Sequence, residues 1–301
     1  MGTQSKCLEG HQLKRGPEQR PAHVDPSSEL GYRLASRGRQ KHEDDRLGLL
    51  ERIFDPLSRR RREMVRPGWR CLEVGAGRGS MAVWLAEQVG ENGLVVATDI
   101  DVTYLQRLHL PNLVVREHNI LADPLDALGP GSFDMVSSRL MLFWLAGEQE
   151  AAIRRMVECL RPGGWLVDED GDWGTVTPVD QSHPFCARYQ GAYRNGEWWA
   201  ARGYDPIFGR KLPLLFERCG LQNICHEATA EVVRGGNSWA RWWQQTLEAI
   251  RGWELADHGL MEAREFGRVA PIWKGPSANS SLVKIVVSHN RSGISGEPGR
   301  P

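Results

Sequence analysis

Residues 70–79, RCLEVGAGRG, decide the fold, because a short apolar segment there runs directly into a glycine-rich turn. A helix with one apolar face is predicted to follow over Met81–Val89 and to stop at Gly90. Glycines let a backbone turn sharply and approach a ligand closely, since no Cβ stands in the way. The segment is therefore predicted to be a strand (Arg70–Val74), a ligand-binding turn and a helix in succession.

The alternation of strands and helices continues to about residue 170. The further predicted strands are Leu94–Thr98, Asn112–Glu117, Phe133–Ser137 and Trp165–Asp168, with another helix over Ala151–Leu160. Such an alternation forces right-handed crossovers, and hence a parallel sheet with helices on both faces. The predicted fold class is α/β, a Rossmann-like, doubly wound, mostly parallel seven-stranded sheet that binds ligands beyond the carboxyl ends of its strands.

The chain is predicted to divide into five segments. These are a flexible N-terminal arm (1–28), a helical segment (29–66), a ligand-binding core (67–172), a cap with the final strands (173–289) and a flexible tail (290–301). The cap is expected to be aromatic-rich, because eight of the 12 tryptophans lie beyond residue 170, and Leu282–Val287 is predicted to be a late strand. Trp239, Trp242 and Trp243 match one helical face, which favours core packing over a stacking wall for an aromatic substrate.

The segment before the core carries apolar residues at positions 50, 53, 54 and 57, a spacing that places them on one face of a helix. This helix is predicted from about Asp44 to Val65, with a bend at Pro56. Its end carries the basic run Arg59–Arg62. A nucleic-acid patch is one interpretation of that run. Cations in the last turns of a helix complement its dipole and usually face water, so a solvated face is predicted instead.

The composition narrows the class of protein and of partner. Lys+Arg 38 balances Asp+Glu 38, which disfavours nucleic acid or an anionic membrane as the main partner and favours a small or neutral substrate. The six cysteines are scattered, with no C-x-x-C pair and no histidine at ligand spacing, so no metal site is predicted. No apolar run approaches the roughly 20 residues of a membrane span. A cytoplasmic protein with reduced thiols is expected.

Asp99 is the second informative position, at the end of the strand that follows the glycine-rich turn. A carboxylate there can accept hydrogen bonds from both hydroxyls of a ribose. A dinucleotide-binding turn has the spacing G-x-G-x-x-G, whose third glycine would fall at position 80, where this chain has Ser80. The acidic Glu73 before the turn would stabilise an ammonium group rather than a pyrophosphate. Both residues disfavour a nicotinamide oxidoreductase.

The segment from about Arg70 to Asp170 resembles the class I S-adenosylmethionine-dependent methyltransferase family, small-molecule type. Besides the glycine-rich turn, three motifs agree with the family in order and spacing: His118-Asn119-Ile120, Phe133-Asp134-Met135-Val136 and Leu160-Arg161-Pro162-Gly163-Gly164. The resemblance implies that residues 67–172 bind S-adenosylmethionine and release S-adenosylhomocysteine, without a metal. It covers about a third of the chain.

The resemblance also implies a set of cofactor-binding residues: Glu73, Gly75, Ala76, Gly77, Gly79, Asp99, Ile100, Asn119, Ile120 and Arg139. In this assignment the turn lines the methionine and ribose portions, Asp99 holds the ribose hydroxyls and Ile100 packs on the adenine. Asn119 stands where many members have Asp, although its side-chain oxygen can still accept from the adenine amino group. Arg139 would border the methionine end.

The methyl acceptor is expected at the rim beyond the fifth strand, where residues 168–172 read DEDGD. Methyl transfer from a sulfonium needs an in-line nucleophile, and much of the rate can come from proximity, so a dedicated base is optional. Weak candidates for a base or orienting group are Glu169 in this acidic segment, and His183 and Tyr193 further along. Acidic segments at strand ends are equally often only solvated.

The function predicted from the sequence is methyl transfer from S-adenosylmethionine to a small organic acceptor, on oxygen, nitrogen or carbon, by a monomer or homodimer. Two alternatives stay open: a cofactor-binding protein without methyl transfer, and a protein methyltransferase. Methyltransferases that modify exocyclic amino groups of nucleic acids resemble a different subgroup, with an Asn/Asp-Pro-Pro-aromatic signature after the fourth strand. The chain has Ser137-Ser138-Arg139-Leu140 there, so no nucleic-acid partner is predicted.

Overall fold

A computed structural model describes residues 40–178, 203–233, 236–251 and 281–291. Five parallel strands form its centre: β1 (Arg70–Val74), β2 (Leu94–Asp99), β3 (Leu113–Glu117), β4 (Phe133–Arg139) and β5 (Leu160–Pro178). They lie in the order β3-β2-β1-β4-β5. This parallel, Rossmann-like sheet confirms the predicted α/β class, and its order reverses between β1 and β4, where ligands bind in such sheets.

Two antiparallel strands lie beside β5. They are β6 (Ile224–Val233) and β7 (Ser281–Arg291), and β7 lies between β5 and β6. The strand predicted at Leu282–Val287 falls within β7. No strand was predicted at β6, because His226 and Glu227 interrupt its apolar pattern.

Within the described ranges, five α-helices accompany the sheet: α1 (Gln40–Arg61), α2 (Ser80–Val89), α3 (Gln149–Cys159), α4 (Leu212–Arg218) and α5 (Ser238–Arg251). Helix α2 is capped at its C-terminus by Gly90. Its φ of 65° is a conformation that glycine adopts without strain. The connections after β2 and β3 contain only 3₁₀ turns, at Leu105–Arg107 and Leu125–Ala127. The segments that cross the sheet there are therefore shorter than full helices.

The two faces of the sheet are buried by different elements, because successive side chains of a strand point in opposite directions. The face against α2 carries Cys71, Val95, Ala97, Met135 and Val167, all completely buried or nearly so. The opposite face carries Leu72, Val136 and Leu166 and belongs to a larger cluster with Ile153 of α3 and Phe216 of α4. Each fully buried aliphatic side chain of this kind stabilises the fold by about 1.5–3 kcal/mol.

Helix α1 crosses the carboxyl ends of the strands. Its first turns reach the glycine-rich turn through an ion pair between Asp44 and Arg78. Its last turn reaches β6, where Arg61 Nη2 donates to Thr229 Oγ1 over 2.7 Å. The helix was predicted from about Asp44 to Val65 and lies at Gln40–Arg61, with Pro56 inside it. It therefore covers the edge of the sheet where ligands are expected.

The prediction that the basic run at the end of this helix faces water is wrong for two of its four residues. Arg59 and Arg60 are exposed, whereas Arg61 and Arg62 are buried. Both buried guanidinium groups pair with the carboxylate of Glu169 on β5. The helix dipole gave no information about this, because the face that carries Arg61 and Arg62 lies against the sheet.

Helix α5 packs its tryptophans into the core, as its helical spacing predicted. Trp242 and Trp243 are buried, and the ring of Trp242 lies 5.9 Å from Phe54 of α1 and 5.7 Å from Trp173 of β5. The indole of Trp173 folds back over Gly171, where a Cβ would collide with it. Among the described residues, no helix is both long enough and apolar enough to span a bilayer.

Candidate functional site

The glycine-rich turn after β1 has a backbone that only glycine adopts readily. Gly75, Gly77 and Gly79 have φ angles of 71°, 58° and 86°, in the left-handed region. The N–H groups of Gly75 and Ala76 donate to the carbonyl oxygen of Thr98 over 2.8 and 2.9 Å, which ties the turn to β2. A Cβ on Gly75 would lie 2.6 Å from Met141 Cγ, whereas one on Gly77 would meet nothing within 4 Å. The turn is therefore open at Gly77.

Asp99 ends β2 directly beside this opening. One carboxylate oxygen accepts from the Gly77 N–H over 2.8 Å and the other from the Asp101 N–H over 3.1 Å. Burial raises the pKa of Asp99 above its ordinary value, although these backbone hydrogen bonds act in the opposite direction. Ile100, the next residue, is 50 % exposed. A carboxylate and an exposed apolar side chain thus adjoin the open side of the turn.

Glu73 and Ser137 are neighbours on β1 and β4 and share one face of the sheet. Both are buried, and neither Glu73 Oε2 nor Ser137 Oγ has a hydrogen-bond partner among the residues that the structure describes. Burial raises the pKa of Glu73 to about 7, although the charges of Arg139 and Arg62 lower it. A buried polar atom without a partner costs about 1–3 kcal/mol. Two of them side by side indicate a place for a polar ligand.

Arg139 ends β4 next to this pair, where helix α1 holds it. Its Nη1 donates to Asp55 Oδ1 over 2.8 Å and to Ser58 Oγ over 3.1 Å, and its Nη2 to Ser80 Oγ over 3.4 Å. The following residue, Leu140, has a φ of 51°, which costs a non-glycine residue about 1–2 kcal/mol. Its N–H donates to the carbonyl oxygen of Glu169 over 2.7 Å.

Asn119 and Ile120 are placed less favourably than the resemblance implied. Asn119 Oδ1 accepts from the Leu121 N–H over 2.9 Å, so the oxygen assigned to the adenine amino group already bonds within its own turn. Ile120 is buried in the core, and its carbonyl oxygen accepts from the guanidinium of Arg155. Ile120 therefore has a packing role, and any adenine contact there would involve Asn119.

Glu169 is engaged in a buried ion pair. It pairs with Arg62, and Ser58 Oγ donates to it over 2.9 Å. Burial alone would raise the pKa of Glu169, but the guanidinium groups of Arg62, Arg139 and Arg61 together hold it below its ordinary value. A carboxylate held ionised in this way is a poor proton acceptor. The geometry thus gives Glu169 the task of holding α1 rather than that of a base.

The other carboxylates of the DEDGD segment are also buried, so the alternative of a merely solvated acidic segment is wrong. Asp168 accepts from the Ser138 hydroxyl, and burial raises its pKa to about 7. Asp170 accepts from the Phe143 N–H over 3.2 Å, and its pKa is raised well above the ordinary value by burial and by the charge of Asp168. Asp172 pairs with Arg210. The segment is buried because β5 continues through it, with β4 paired on one side as far as Glu169 and β7 on the other as far as Asp172.

His183 and Tyr193, the other two candidates for a base, lie outside the described residues. Helix α1 contributes two polar residues, Asp55 and Ser58, that were not predicted from the sequence. No local signal marks them, because a polar residue in an amphipathic helix has the same pattern whether it meets water or a buried arginine.

The described residues fit the cofactor that the resemblance implies. An ammonium group would satisfy the buried Glu73 carboxylate, which has no partner for Oε2 among these residues. The Asp99 carboxylate can accept from hydroxyl groups next to the open side of Gly77. Within the described ranges, no group of three or more His, Cys, Asp or Glu side chains is placed to hold a metal ion.

Comparison with known proteins agrees with this geometry. Residues 72–168 match the model of the methyltransferase domain family. Methyltransferase str3 of Strobilurus tenacellus is 29% identical over 150 residues, which cover 49% of this chain and 51% of that protein. Nocamycin O-methyltransferase of Saccharothrix syringae is 35% identical over 136 residues, covering 42% of this chain and 45% of that protein.

Among solved structures, phosphoethanolamine N-methyltransferase 2 of Haemonchus contortus in complex with S-adenosyl-L-methionine aligns with 81% of this chain and 52% of its own. The TM-score is 0.44 and the sequence identity 17%. The chain spans about half the length of the two curated relatives. The family match runs from β1 into β5. It includes the residues at the carboxyl ends of the strands that we call the cradle: Glu73, Gly75, Ala76, Gly77, Asp99, Ile100, Ser137 and Arg139. Residues 72–168 are therefore a methyltransferase domain of the class I S-adenosylmethionine-dependent family.

Proposed function

We propose that the chain is an S-adenosylmethionine-dependent methyltransferase that modifies a small organic acceptor and releases S-adenosylhomocysteine. One observation carries the proposal. At the carboxyl ends of β1 and β2, an open glycine turn, the Asp99 carboxylate and the buried Glu73 carboxylate together match the ribose and the ammonium group of this cofactor. A dinucleotide would place a pyrophosphate near Glu73, where its charge would be repelled.

Each residue of the cradle has a distinct proposed role. Asp99 would accept hydrogen bonds from the ribose hydroxyls, and the exposed Ile100 would pack on the adenine. Glu73 would bind the ammonium group in its ionised form, and Ser137 would supply a hydroxyl beside it. Arg139 would lie at the methionine end, where its guanidinium can face a carboxylate. Ala76 would line the turn between Gly75 and Gly77.

When bound, S-adenosylmethionine supplies an electrophilic methyl group on a positively charged sulfur. The protein then has to place the acceptor in line with that group and exclude water, which accounts for much of the rate in such displacements. We do not assign the role of a base to Glu169, because its ion pair with Arg62 holds its pKa below the ordinary value. His183 and Tyr193 stay candidates for a base or an orienting hydroxyl.

We further propose that the seven strands act as one sheet and that the aromatic-rich segment 173–289 caps the carboxyl edge and binds the acceptor. Support comes from α5, whose Trp242 packs between Phe54 of α1 and Trp173 of β5. We propose the division into an arm (1–28), a helical segment (29–66), a core (67–172) and a tail (290–301), although β7 extends to Arg291, within the predicted tail. We also propose that the working unit is a monomer or homodimer. One relative is by name a nocamycin O-methyltransferase, which favours a small molecule as the acceptor.

The proposal is tested by calorimetric titration of the purified protein with S-adenosylhomocysteine, with NADH titrated in parallel. Micromolar binding of S-adenosylhomocysteine, with no heat from NADH, is expected. Incubation with candidate small molecules and a methyl-labelled donor would then show transfer. Binding of NADH, or of neither ligand, would refute the proposed cofactor. Binding of S-adenosylhomocysteine without transfer to any acceptor would instead favour a cofactor-binding protein.

A further inference from the structure

Asp55 of helix α1 lies outside the family match at residues 72–168, yet it contacts two sides of the candidate cofactor cradle. One carboxylate oxygen, Oδ1, accepts from Arg139 Nη1 over 2.8 Å and from Ser80 Oγ over 3.0 Å. The other oxygen, Oδ2, accepts from Arg59 Nη2 over 3.3 Å. The side chain is 12% exposed, so these bonds form largely out of water.

The two partners of Oδ1 come from different elements and also contact each other, because Arg139 Nη2 donates to Ser80 Oγ over 3.4 Å. Ser80 begins α2, directly after the last glycine of the turn. Arg139 ends β4, one strand away. A single carboxylate oxygen thus joins the glycine turn to the end of β4 through a helix that is distant in sequence.

The position of Arg139 matters for the charge balance beside the turn. Its guanidinium is the charge that most lowers the pKa of the buried Glu73, and Asp55 has the opposite effect. Without Asp55, Arg139 would lose its ionic partner in a site that is almost closed to water. A buried charge that loses its partner moves or draws in water, since leaving it unpaired is costly.

We propose that Asp55 is a positioning residue for the amino-acid end of the cofactor, because it holds Arg139 at the end of β4 and Ser80 at the start of α2. This inference rests on the proposed function. Asp55 does not itself touch the cofactor; it acts through Arg139 and through the start of α2. The nucleoside end, at Asp99 and Ile100, lies outside its reach.

The test compares two ligands that differ only at the amino-acid end. S-adenosylhomocysteine carries the amino acid, whereas 5′-methylthioadenosine has the same nucleoside and thioether without it. Asp55→Asn keeps the shape but removes the charge. We expect the Kd for S-adenosylhomocysteine to rise about tenfold, as for loss of a hydrogen bond to a charged group, and the Kd for 5′-methylthioadenosine to stay within about twofold.

Two control variants separate this effect from a general loosening of α1. Arg59→Ala removes the partner of the other oxygen of Asp55, and Arg59 is half-exposed. Glu227→Gln removes a half-exposed carboxylate that faces Arg61 at the far end of the helix. We expect both variants to bind both ligands as the unmodified chain does. Ser80→Ala, which removes one partner of Oδ1, should weaken S-adenosylhomocysteine alone, by about threefold.

The outcomes are distinguishable. An equal loss of both ligands in Asp55→Asn would show a merely structural role and overturn the inference, as would unchanged binding of both. If Asp55→Asn does not fold, Ser80→Ala decides in the same way, by selective or unselective loss. If the unmodified chain does not bind S-adenosylhomocysteine, the proposed function fails first, and the inference fails with it.

Discussion

The two halves of the carboxyl edge of the sheet are built differently. Around β1 and β2, the structure is held by backbone N–H groups and one carboxylate. The N–H groups of Gly77 and Asp101 donate to the Asp99 carboxylate, and that of Gly75 donates to the carbonyl oxygen of Thr98. Around β4 and β5, side chains from distant parts of the chain meet. Arg139 bonds Asp55 across 84 positions, and Glu169 bonds Arg62 across 107.

This difference separates local from assembled structure. The β1–β2 half depends on two neighbouring strands, the turn and the helix that follows it. Its glycines and its carboxylate cannot be replaced without loss of their backbone conformation or hydrogen bonds. The β4–β5 half exists only after α1 has docked, and each of its charges depends on a partner from another element. We therefore expect changes in the first half to affect mainly ligand binding, and changes in the Arg62–Glu169 ion pair of the second half to affect mainly stability. Asp55 and Arg139 belong to the assembled half but are proposed to act on binding.

The largest expected effect is a loss of stability when the buried ion pair of the β4–β5 half is broken. Arg62→Ala should lower the free energy of unfolding by about 3–5 kcal/mol, because it leaves Glu169 buried without its main partner. Arg60→Ala is the matched control, since Arg60 belongs to the same basic run but is exposed. It should change the free energy of unfolding by less than about 0.5 kcal/mol. Urea unfolding measures the free energy of unfolding of both variants. Equal losses in the two would contradict the stabilising role of the buried ion pair.

The next effect concerns Asp99 in the β1–β2 half. Asp99→Ala should raise the Kd for S-adenosylhomocysteine about 100-fold, since two hydrogen bonds to a charged group are lost. Asp101→Ala changes an exposed carboxylate two positions on, which accepts only from the Thr103 N–H at 2.9 Å in the described structure, and should bind normally. Calorimetry measures the Kd of both variants, and circular dichroism checks that they are folded. Normal binding by a folded Asp99→Ala protein would remove the ribose assignment.

A smaller effect on ligand affinity is expected at Gly77, the open glycine of the turn. Gly77→Ala and Gly131→Ala both place a side chain at positive φ with nothing within 4 Å of the new Cβ. Each should cost about 1 kcal/mol of stability from the backbone alone. Only Gly77→Ala should also weaken S-adenosylhomocysteine binding, by about tenfold, because its methyl group enters the proposed ligand space. Equal affinities in the two variants would place the ligand elsewhere.

The smallest effect is on pH dependence. Burial raises the pKa of Glu73 from its ordinary 4.5 to about 7, so the unliganded protein keeps the proton to near neutral pH. The stability that this group contributes is fully present below pH 4.5 and is lost as the pH rises through about 7.

Ammonium binding needs the ionised form, so affinity for S-adenosylhomocysteine should rise about fourfold between about pH 6.5 and 8. Glu73→Gln should abolish that rise. A rise that persists in the variant would point to another group, such as Asp168, whose pKa is also raised to about 7.

The parts of the fold that the sequence predicted are those with local causes. Strand β1 lies at the predicted residues, and the predicted ends of β2 and β3 differ by a single residue, because apolar segments bounded by turns specify buried strands. Strand β6 was missed, since its glutamates hide the pattern. The burial of Arg61 and Arg62 was missed for another reason: a helix sequence records the spacing of its charges but not the surface against which each charge packs.

The candidate site divides in the same way. Gly75, Gly77, Gly79 and Asp99 carry a recognisable spacing, because backbone geometry demands glycine there and the carboxylate follows one strand later. Asp55 and Ser58 carry none, since their partners Arg139 and Glu169 are more than eighty residues away. Only the docking of α1 brings them together.

The indole of Trp173, folded over Gly171, has a consequence for sequence variation among homologues that share this part of β5. A Cβ on Gly209 would also lie 2.7 Å from the carbonyl oxygen of Asp170, so the strand is approached closely from two directions. We expect positions 171, 173 and 209 to covary: a residue larger than glycine at 171 should occur only where 173 is smaller than tryptophan. Homologues that keep the tryptophan but lose both glycines would need a different path for β5.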